Sequence, residues 1–387
     1  MTKATSDVVH GRVAPGFDGA RDVLLRRSRA WGRGGGAVSA YVEGELVVDL
    51  WGGERAPDQP WQEDTLSPIA SISKGWAACV VHRLVEQDIL DFTTPLCEWW
   101  PEFAAHGKHT VTLREVFLHS SGVLGFDGQL EVLDGRGLGQ AWADYDAIAA
   151  GVAAAQPVWP PGSKHGYHAL TFGWLVQEVV RRTTGRTVGD VFRTDFAEPL
   201  GLDSHLGHLG ADMDRVAEAL GADLSAVSPL KRWLLGRIAR QTADPRTLAG
   251  TAFLGDGRTS ILERAPAYLA TPAWLEAEVP ASNGVTTARS LARLFAALAA
   301  GGSLDGVRVL RPESVDLMHH VQARITDAVM RSALPAPLRR FATPSAAATY
   351  GLVPNVESKG KRPLGPNPEA FACGGFGGQL VLADPVT

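Results

Sequence analysis

Strand patterns at the two ends of the chain, with helical patterns between them, constrain the fold most. Ala37–Val42 and Glu45–Trp51 are β-rich runs joined by Glu43-Gly44, which predicts an antiparallel hairpin. Near the other end, Phe371–Ala383 is predicted to hold a glycine-rich strand followed by the apolar strand Gln379–Ala383. Strands at both ends around a helical centre indicate an α+β fold with a helical insertion.

Apolar periodicity predicts the helices between these strands. Ser71–Val85 is apolar at most positions, which predicts a well buried helix, and Thr112 with Glu115 forms a capping-box pattern. The glycine run Gly32–Gly36 follows a helix rather than a strand, so we interpret it as a turn and not as a dinucleotide-binding loop. Residues 203–280 are predicted to be helical without an assigned role. The predicted helices span Phe17–Trp31, Ser71–Val85, Thr112–His119, Tyr167–Thr183 and Thr286–Ala300.

Composition excludes several classes of protein. The chain has 387 residues, 45% of them hydrophobic, so it can bury a large core and is not generally disordered. A formal net charge of −5 argues against a nucleic-acid partner, which normally requires a basic face. Cys79, Cys97 and Cys373 form no CxxC pair, so a reducing compartment fits better than a disulfide scaffold.

The chain also lacks the apolar segments that membranes and export require. No stretch is apolar for the about 20 residues that cross a bilayer, and residues 1–20 have no apolar core of signal-peptide length. We therefore expect a soluble, cytoplasmic protein with neither a membrane nor a nucleic-acid partner.

The motif with chemical content is Ser71-Ile72-Ser73-Lys74, at the start of the predicted buried helix. Residues three apart share a helix face, so Ser71 and Lys74 are predicted to touch. Serine is a weak nucleophile without a base, and lysine is that base where burial and the helix dipole lower its pKa. The helix N-terminus also offers the Ser71 N–H to a developing oxyanion. Such a short motif also arises by chance, and Ser73, the competing serine, has no lysine three residues after it.

Further motifs follow in order along almost the whole chain. They are Leu50-Trp51-Gly52-Gly53, Ser71-Ile72-Ser73-Lys74-Gly75, Leu118-His119-Ser120-Ser121-Gly122, Pro161-Gly162 before Tyr167-His168-Ala169-Leu170-Thr171, Asn283-Gly284 before Thr287-Ala288-Arg289, and Gly374-Gly375-Phe376-Gly377-Gly378. Their order and separations resemble the serine β-lactamase and penicillin-binding protein superfamily. The resemblance is greatest to the branch of class C β-lactamases and family VIII carboxylesterases, and it is more specific for fold and acyl-enzyme chemistry than for substrate.

The resemblance implies a β-lactamase-like fold, in which an antiparallel sheet flanked by helices meets an all-helical domain and the active site lies at the seam. We expect residues 1–75 and 285–387 to form the sheet domain, and residues 76–284 the mainly helical insertion. Such relatives continue past Ala383-Asp384-Pro385 with another strand and a C-terminal helix. We therefore expect either a truncated chain or a sheet edge covered differently, for example by a partner subunit. The oligomeric state is not predicted.

The resemblance also assigns roles to residues outside the first motif. Tyr167 takes the tyrosine position of a Tyr-x-Asn motif and would act, together with Lys74, as the general base that takes the Ser71 proton and returns it to the leaving group, although an isolated tyrosine more often fills a core. Ala169 replaces the asparagine that helps β-lactamases hold an amide side chain. Cys373-Gly374-Gly375 takes the place of Lys-Thr-Gly, and the Phe376 N–H would complete the oxyanion hole. The substrate-binding positions are thus Ala169, Cys373, Gly374 and Gly375.

These positions predict a serine hydrolase that acts on a small ester or related acyl compound. Cys373 is predicted to be a wall residue, and without a lysine or histidine there the site loses a cation for a substrate carboxylate. A transacylase with an amine or alcohol acceptor, a β-lactamase or D-alanyl peptidase, and a catalytically silent binding protein are the alternatives. No cofactor or metal is implied, because His119, His165 and His168 lack metal-ligand spacing.

Overall fold

The elements of the fold are taken from a computed structural model, which describes residues 9–28, 34–126, 144–219, 228–253, 269, 271–339, 346–355 and 363–386. The strands are β1 (Val9–Val13), β2 (Gly35–Val42), β3 (Glu45–Ala56), β4 (Gln59–Pro60), β5 (Ser67–Pro68), β6 (Ser204–Leu206), β7 (Gly284–Thr286), β8 (Ser303–Leu304), β9 (Val307–Arg308), β10 (Ala323–Ile325), β11 (Ala346–Ala348), β12 (Val353–Pro354), β13 (Phe371–Gly374) and β14 (Leu380–Ala383).

The helices lie mostly between the first and last strands. The α-helices are α1 (Gly19–Ser28), α2 (Ser73–Glu86), α3 (Leu113–Phe117), α4 (Tyr145–Ala154), α5 (Thr171–Thr184), α6 (Val188–Phe192), α7 (Glu198–Leu200), α8 (Pro229–Ala243), α9 (Leu248–Ala252), α10 (Pro272–Glu276), α11 (Ala288–Ala299), α12 (Pro312–His319), α13 (Ala328–Ala333) and α14 (Ala336–Arg339). Short 3₁₀ segments span Ala70–Ile72, Leu96–Glu98, Pro101–Thr110 and Gly210–Arg215, and a π-helical turn spans Arg193–Ala197.

The predicted hairpin is confirmed by the pairing of β2 with β3. Glu43 and Gly44 have φ values of +51° and +84°, and two such residues in a row give the turn whose twist matches antiparallel strands. β3 also pairs with β1 on its other edge, so the N-terminal sheet has the order β1-β3-β2.

The glycine run before the hairpin is partly strand, so its interpretation as a turn is wrong. Gly35 and Gly36 belong to β2 and pair with Gly53 and Gly52 of β3. A Cβ at Gly35 would lie 2.7 Å from the Trp61 ring and 2.7 Å from the Gly52 carbonyl oxygen. Glycine is therefore needed here because another backbone and a ring approach closely. Gly32 lies outside the described residues.

The C-terminal strands also form an antiparallel sheet, as predicted, in the order β12-β13-β14. Helix α11 packs against both β2 and β14, so one helix joins the N-terminal and C-terminal sheets. Its apolar face is buried through Leu291, Leu294, Phe295 and Leu298. Strands from both ends of the chain therefore share one covering helix, which agrees with the predicted α+β arrangement.

A small third sheet connects the chain ends to the helical middle. β7 lies between β5 and β6, with Ser67 opposite Thr286 and Ser204 opposite the same residue. The N–H of Ile69 then donates to the carbonyl oxygen of Gly284 at 2.9 Å. This pairing fixes the chain immediately before Ser71.

Helix α2 forms the centre of the core, as its apolar composition predicts. It is buried along most of its length, and the Trp76 ring stacks on Phe192 of α6 at 4.4 Å between centroids. Stacked aromatic pairs stabilise beyond the area that they bury, by about 1 kcal/mol. Of the first motif, Ser73 and Lys74 lie in this buried helix, and Ser71 and Ile72 lie in the 3₁₀ segment immediately before it.

Four predicted helices begin too early, since Ser71 lies in a 3₁₀ segment and α2 starts only at Ser73. Tyr167 lies before α5, which starts at Thr171, and Thr286 belongs to β7 while Thr287 caps α11 by accepting the Ser290 N–H. Helix α1 spans Gly19–Ser28, so it begins two residues after Phe17, and its Val23 is 49% exposed. The capping box of Thr112 and Glu115 is confirmed, and α5 ends at Gly185, which has a left-handed φ of +69°.

Where the chain is described, no helix combines the length and apolarity needed to cross a membrane. The division into residues 1–75 with 285–387 and residues 76–284 stays a prediction.

Candidate active site

Ser71 lies in a strained turn immediately before α2. It is the middle residue of the 3₁₀ segment Ala70–Ile72, and Ala70 has a left-handed φ of +45°. That conformation costs a residue with a Cβ about 1 kcal/mol, and the surrounding contacts must hold it. Ser73 supplies two of them, because its hydroxyl donates to the Ala70 carbonyl at 2.6 Å and accepts the Gly284 N–H at 2.9 Å.

The competing serine therefore has a structural role. Ser73 is fully buried, and both of its hydrogen bonds are with backbone groups. Gly284 is needed beside it, because a Cβ there would lie 2.9 Å from the Ser73 hydroxyl oxygen. Ser71 instead is partly exposed and contacts two ionisable side chains.

Lys74 lies beside Ser71, as the spacing predicts. Its Nζ is 3.4 Å from the Ser71 Oγ, 2.7 Å from the Ala169 carbonyl oxygen and 2.8 Å from the Ala281 carbonyl oxygen. Burial lowers the pKa of Lys74 to about 7, although the negative charge of a Cys373 thiolate would raise it. A neutral amine has two N–H donors and one lone pair. The two carbonyls accept its N–H groups, and the lone pair is then free to face the Ser71 hydroxyl.

Tyr167 contacts Ser71 from the other side. Its phenolic O–H donates to the Ser71 Oγ at 2.6 Å, and its ring lies 4.8 Å from the Lys74 Nζ. Burial raises the pKa of Tyr167 well above its usual value, while the hydrogen bond to Ser71 opposes that rise. The phenol is therefore protonated at neutral pH and acts as a donor.

Asp327 anchors Tyr167 and has no signal in the sequence. Both of its carboxylate oxygens accept the Tyr167 N–H at 3.2 Å, and one also accepts the Met330 N–H at the start of α13. Burial raises the pKa of Asp327, and the hydrogen bonds from these N–H groups oppose the rise. Its 160-residue separation from Tyr167 hides this contact from any local pattern.

Buried His168 and half-buried His119 lie behind Tyr167. The backbone N–H of His168 donates to the His119 Nδ1 at 3.3 Å, and His119 follows α3. The His168 Nδ1 lies 2.7 Å from the Gly166 carbonyl oxygen, so its other nitrogen accepts the Ser121 hydroxyl proton at 2.8 Å. Burial lowers the pKa of His168 to about 4 and that of His119 well below its usual value. Both rings are neutral at physiological pH.

Cys373, predicted to be a wall residue, lies beside the Ser71 turn. It is buried on β13, and its Sγ lies 4.0 Å from the Ser71 carbonyl oxygen and 3.9 Å from that of Ile72. Burial raises the pKa of Cys373 to about 11, although Lys74 lowers it, so the group is a thiol and not a nucleophile. A Cβ at Gly75 would approach this sulfur to 3.3 Å, which explains a glycine after Lys74.

The glycine-rich turn after β13 contacts the segment before Ser71. A Cβ at Gly375 would lie 2.4 Å from the Ile69 carbonyl oxygen, and the Gln379 side chain donates to the Pro68 carbonyl at 3.0 Å. Phe376 follows in the turn with 43% of its surface exposed. Gly374 and Phe376 thus lie within the segment that adjoins the Ser71 turn, but their assigned roles stay predictions.

Ala169 and Ala281 act through backbone groups that sequence reasoning does not assign. The Ala169 side chain is predicted to contact substrate, whereas its carbonyl oxygen binds Lys74. Asn283 fixes the turn that carries Ala281, because its side chain accepts the Val279 N–H and donates to the Trp274 carbonyl, each at 2.9 Å. Asn283-Gly284 therefore positions Lys74 indirectly.

Comparison with known proteins assigns the family. The model of the family described as Beta-lactamase matches residues 22–387. The chain belongs to the Beta-lactamase family. The predicted resemblance is thereby confirmed.

Two solved structures share the fold over almost the whole chain. A solved family VIII carboxylesterase superposes with a TM-score of 0.78 at 30% identity, covering 98% of this chain and 91% of that one. A penicillin-binding protein homologue from Caulobacter crescentus gives a TM-score of 0.77 at 32% identity with the same coverage. The predicted β-lactamase-like fold is confirmed.

A curated protein is similar over a smaller part of its length. Esterase/beta-lactamase LipL of Mycobacterium tuberculosis (strain ATCC 25618 / H37Rv) is 38% identical over 287 residues, which cover 73% of this chain and 62% of LipL. The chain thus spans less than two thirds of that Beta-lactamase-family relative.

Proposed function

We propose that the protein is a serine ester hydrolase that works through an acyl-enzyme on Ser71. The observation that carries the proposal is the position of the Ser71 Oγ, 2.6 Å from the Tyr167 hydroxyl and 3.4 Å from the Nζ of a lysine with a pKa of about 7. A nucleophile in contact with a neutral amine is activated at physiological pH. The names of LipL and of the solved carboxylesterase support an ester as the substrate.

The geometry supports a division of the proton transfers between Lys74 and Tyr167. The Ser71 oxygen attacks the ester carbonyl while its proton moves to the Lys74 amine. The bond to the leaving alkoxide breaks as Tyr167 donates its proton to that oxygen, and the Lys74 ammonium then restores the phenol. Water then attacks the acyl-enzyme carbonyl through the same proton transfers in reverse, which releases the acid and restores the Ser71 hydroxyl. A tyrosine with a raised pKa suits a donor better than a base, so Lys74 takes the role of base in the first step.

The oxyanion is proposed to bind the backbone N–H groups of Ser71 and Phe376. The first belongs to the turn at the start of α2, and the second to the turn that adjoins it after β13. Cys373 near this position offers no positive charge to a substrate carboxylate, which favours uncharged esters. Ala169 and the glycines Gly374 and Gly375 are proposed to line the same place.

The compartment is proposed to be the cytoplasm. Cys79, Cys97 and Cys373 are all free thiols, and two of them are buried. Free cysteines of this kind are typical of a reducing environment.

The test compares the wild type with Ser71→Ala and the matched variant Ser303→Ala, using a 4-nitrophenyl ester and intact-mass labelling by a fluorophosphonate. We expect hydrolysis and one adduct in the wild type and in Ser303→Ala, and neither in Ser71→Ala. Equal labelling of Ser71→Ala would overturn the nucleophile assignment. Formation of an amide or a new ester, rather than the acid, in the presence of added amines or alcohols would replace hydrolysis by acyl transfer. Faster turnover of a chromogenic cephalosporin than of the ester would show that the substrate is a β-lactam and not an ester.

A further inference from the structure

Helices α8, α13 and α14 form a face that combines exposed apolar side chains with cations. The contacts between α8 and α13, and the hydrogen bond from Arg339 of α14 to Gln241 of α8 at 3.1 Å, join these helices into one surface, which we call the α8 face. Its exposed large apolar residues are Leu230, Trp233, Leu235, Met330 and Leu338. Its cations are Lys231, Arg232, Arg237, Arg240, Arg331 and Arg339.

Helix α8 presents apolar and basic groups on the same exposed side. Leu230 is 74% exposed and Trp233 is 51% exposed, although both are large apolar residues. The Arg237 guanidinium lies 5.7 Å from the centroid of the Trp233 ring. Ile238 faces inward and packs against a buried cluster, so the exposed residues are not needed to hold the helix. A basic helix with exposed tryptophan and leucine is typical of a surface that binds at a lipid interface.

The charge of this face is opposite to that of the whole chain. No acidic residue occurs in α8, α13 or α14, whereas the chain carries a formal net charge of −5. The two carboxylates at the ends of these helices are already engaged. Asp244 pairs with Arg246 at 2.9 Å, and Asp327 accepts the N–H groups of Tyr167 and Met330.

A cationic cavity of about 580 Å³ opens beside the same helices. Its lining, among the residues that the structure describes, includes Lys164, Arg324, Arg331 and Arg339 and no acidic residue. The Arg339 guanidinium donates to the carbonyl oxygens of Leu334 and Ser332 and to the side chain of Gln241. These acceptors are neutral, so they fix the guanidinium without neutralising it. Phosphate is a group that such a guanidinium recognises.

We propose that the α8 face binds peripherally to a membrane surface of anionic lipids, with the cavity receiving a headgroup phosphate. Exposed Leu230 and Trp233 would enter the interface, while the basic residues would meet the negative surface. The proposal goes beyond the proposed hydrolase activity and does not depend on it. It differs from the sequence-based expectation of no membrane partner, which rested on the lack of a spanning segment.

The face adjoins the candidate active site through one small core. Tyr167 and Ile238 of α8 pack against the same cluster, which contains Trp159 and Val329. The Phe253 ring lies 6.2 Å from the Tyr167 ring in this cluster. A membrane-bound α8 face would therefore bring the candidate site close to lipid-dissolved esters.

The test is flotation of the full-length Ser71→Ala protein with phosphatidylcholine vesicles, with and without phosphatidylserine. The Ser71→Ala background prevents hydrolysis of the lipid. We expect about tenfold tighter binding to the phosphatidylserine vesicles. Trp233→Ser and the double variant Lys231→Gln/Arg237→Gln should each weaken that binding about tenfold.

Matched variants on α1 distinguish vesicle binding by the α8 face from non-specific binding by any exposed apolar or basic residue. Val23→Ser removes an apolar residue that is 49% exposed, and Arg26→Gln/Arg27→Gln removes two cations from the same helix. These variants should bind vesicles as the parent does, and circular dichroism checks that every variant is folded. Loss of binding in the α1 variants, or its persistence in the α8 variants, overturns the proposal.

Further outcomes distinguish the other occupants of the face. Equal binding to both vesicle types removes the charge argument and overturns the proposal. If the protein does not bind vesicles but binds glycerol phosphate, and this binding depends on Arg339, the cavity is a site for a free phosphate instead. A concentration-dependent dimer that Trp233→Ser abolishes, again without vesicle binding, would identify a second copy of the chain as the occupant. These binding measurements do not require catalysis, so they test the α8 face even if the wild type does not hydrolyse esters.

Discussion

Among single residues, Lys74 sets the pH dependence of the proposed reaction. Its pKa of about 7 means that the amine is charged, and cannot accept the Ser71 proton, below that pH. We expect kcat/KM for a neutral ester to rise through pH ~7 and level off above it, with a tenfold loss per pH unit on the acid side. Initial rates between about pH 5 and pH 9 measure this profile. His168, with a pKa of about 4, is neutral throughout that range and does not produce the inflection.

Lys74→Arg is the control for this assignment, because a guanidinium stays charged at every accessible pH. We expect it to lower kcat/KM by about 100-fold or more and to abolish the inflection near pH 7. An inflection that survives in the variant would assign the titration to another group.

The sequence predicts residues of this site only where a local motif carries them. Ser71 and Lys74 are three residues apart, so their contact follows from helix geometry. Tyr167 required a match to a family motif, since nothing in its own segment indicates a contact with Ser71. Asp327 and the Ala281 carbonyl were missed because both act on backbone or buried groups that only the folded chain brings together.

At the scale of elements, Ser73 connects the Ser71 turn to β7. Its substitution by alanine leaves the buried Gly284 N–H without the hydroxyl that accepts it, and removes the side-chain hydrogen bond to the Ala70 carbonyl while the backbone N–H of residue 73 still donates there. An unsatisfied buried polar group costs about 1–3 kcal/mol. We therefore expect Ser73→Ala to lower the free energy of unfolding by that amount and to reduce kcat, because the strained turn loses its support. Urea denaturation and ester kinetics measure the two effects.

The matched change is Ser303→Ala on β8, which removes a hydroxyl away from the site. It should alter the free energy of unfolding by less than about 0.5 kcal/mol. Ser73→Ala should still form the fluorophosphonate adduct, which separates support from nucleophilic attack. A Ser73→Ala protein as stable and active as Ser303→Ala would contradict the role given to this connection.

Elements fixed by local signals were predicted well, and those fixed by distant contacts were not. Glu43-Gly44 selects its turn within two residues, so the β2–β3 hairpin is confirmed. Gly35 needs its lack of a side chain because of Trp61 and Gly52, which no local pattern reveals. Helix α5 begins at Thr171 rather than Tyr167, and the backbone N–H groups of Tyr167 and His168 instead donate to the distant side chains of Asp327 and His119.

At the scale of the whole molecule, the candidate site forms where separate parts of the chain meet. The Ser71 turn is fixed by β7, Lys74 by carbonyls from two distant segments, and Tyr167 by the start of α13. Helix α13 also carries part of the α8 face, so the proposed lipid-binding surface and Asp327, which holds the backbone of Tyr167, meet at one short helix. The position of the site and the access of its substrate are therefore properties of the assembled fold.

This arrangement predicts that salt separates two kinds of substrate. The Debye length shrinks from about 10 Å at 0.1 M salt to about 3 Å at 1 M, which weakens attraction between the cations of the α8 face and an anionic surface. We expect added sodium chloride to lower the hydrolysis rate of a long-chain ester dispersed in phosphatidylserine vesicles. The rate on a short, uncharged, water-soluble ester should change little, because that reaction depends on the buried contacts of Ser71, Lys74 and Tyr167.

Lys231→Gln/Arg237→Gln provides the internal comparison. It should lower the rate on vesicles at low salt to the level that the wild type shows at high salt, and leave the rate on the water-soluble ester unchanged. Arg26→Gln/Arg27→Gln on α1 should keep the full salt dependence of the wild type. Equal salt sensitivity of both substrates would mean that salt acts on the catalytic site. If neither salt nor the α8 substitutions change the rate on vesicles, the cations of this face do not bind the enzyme to the surface that holds its substrate.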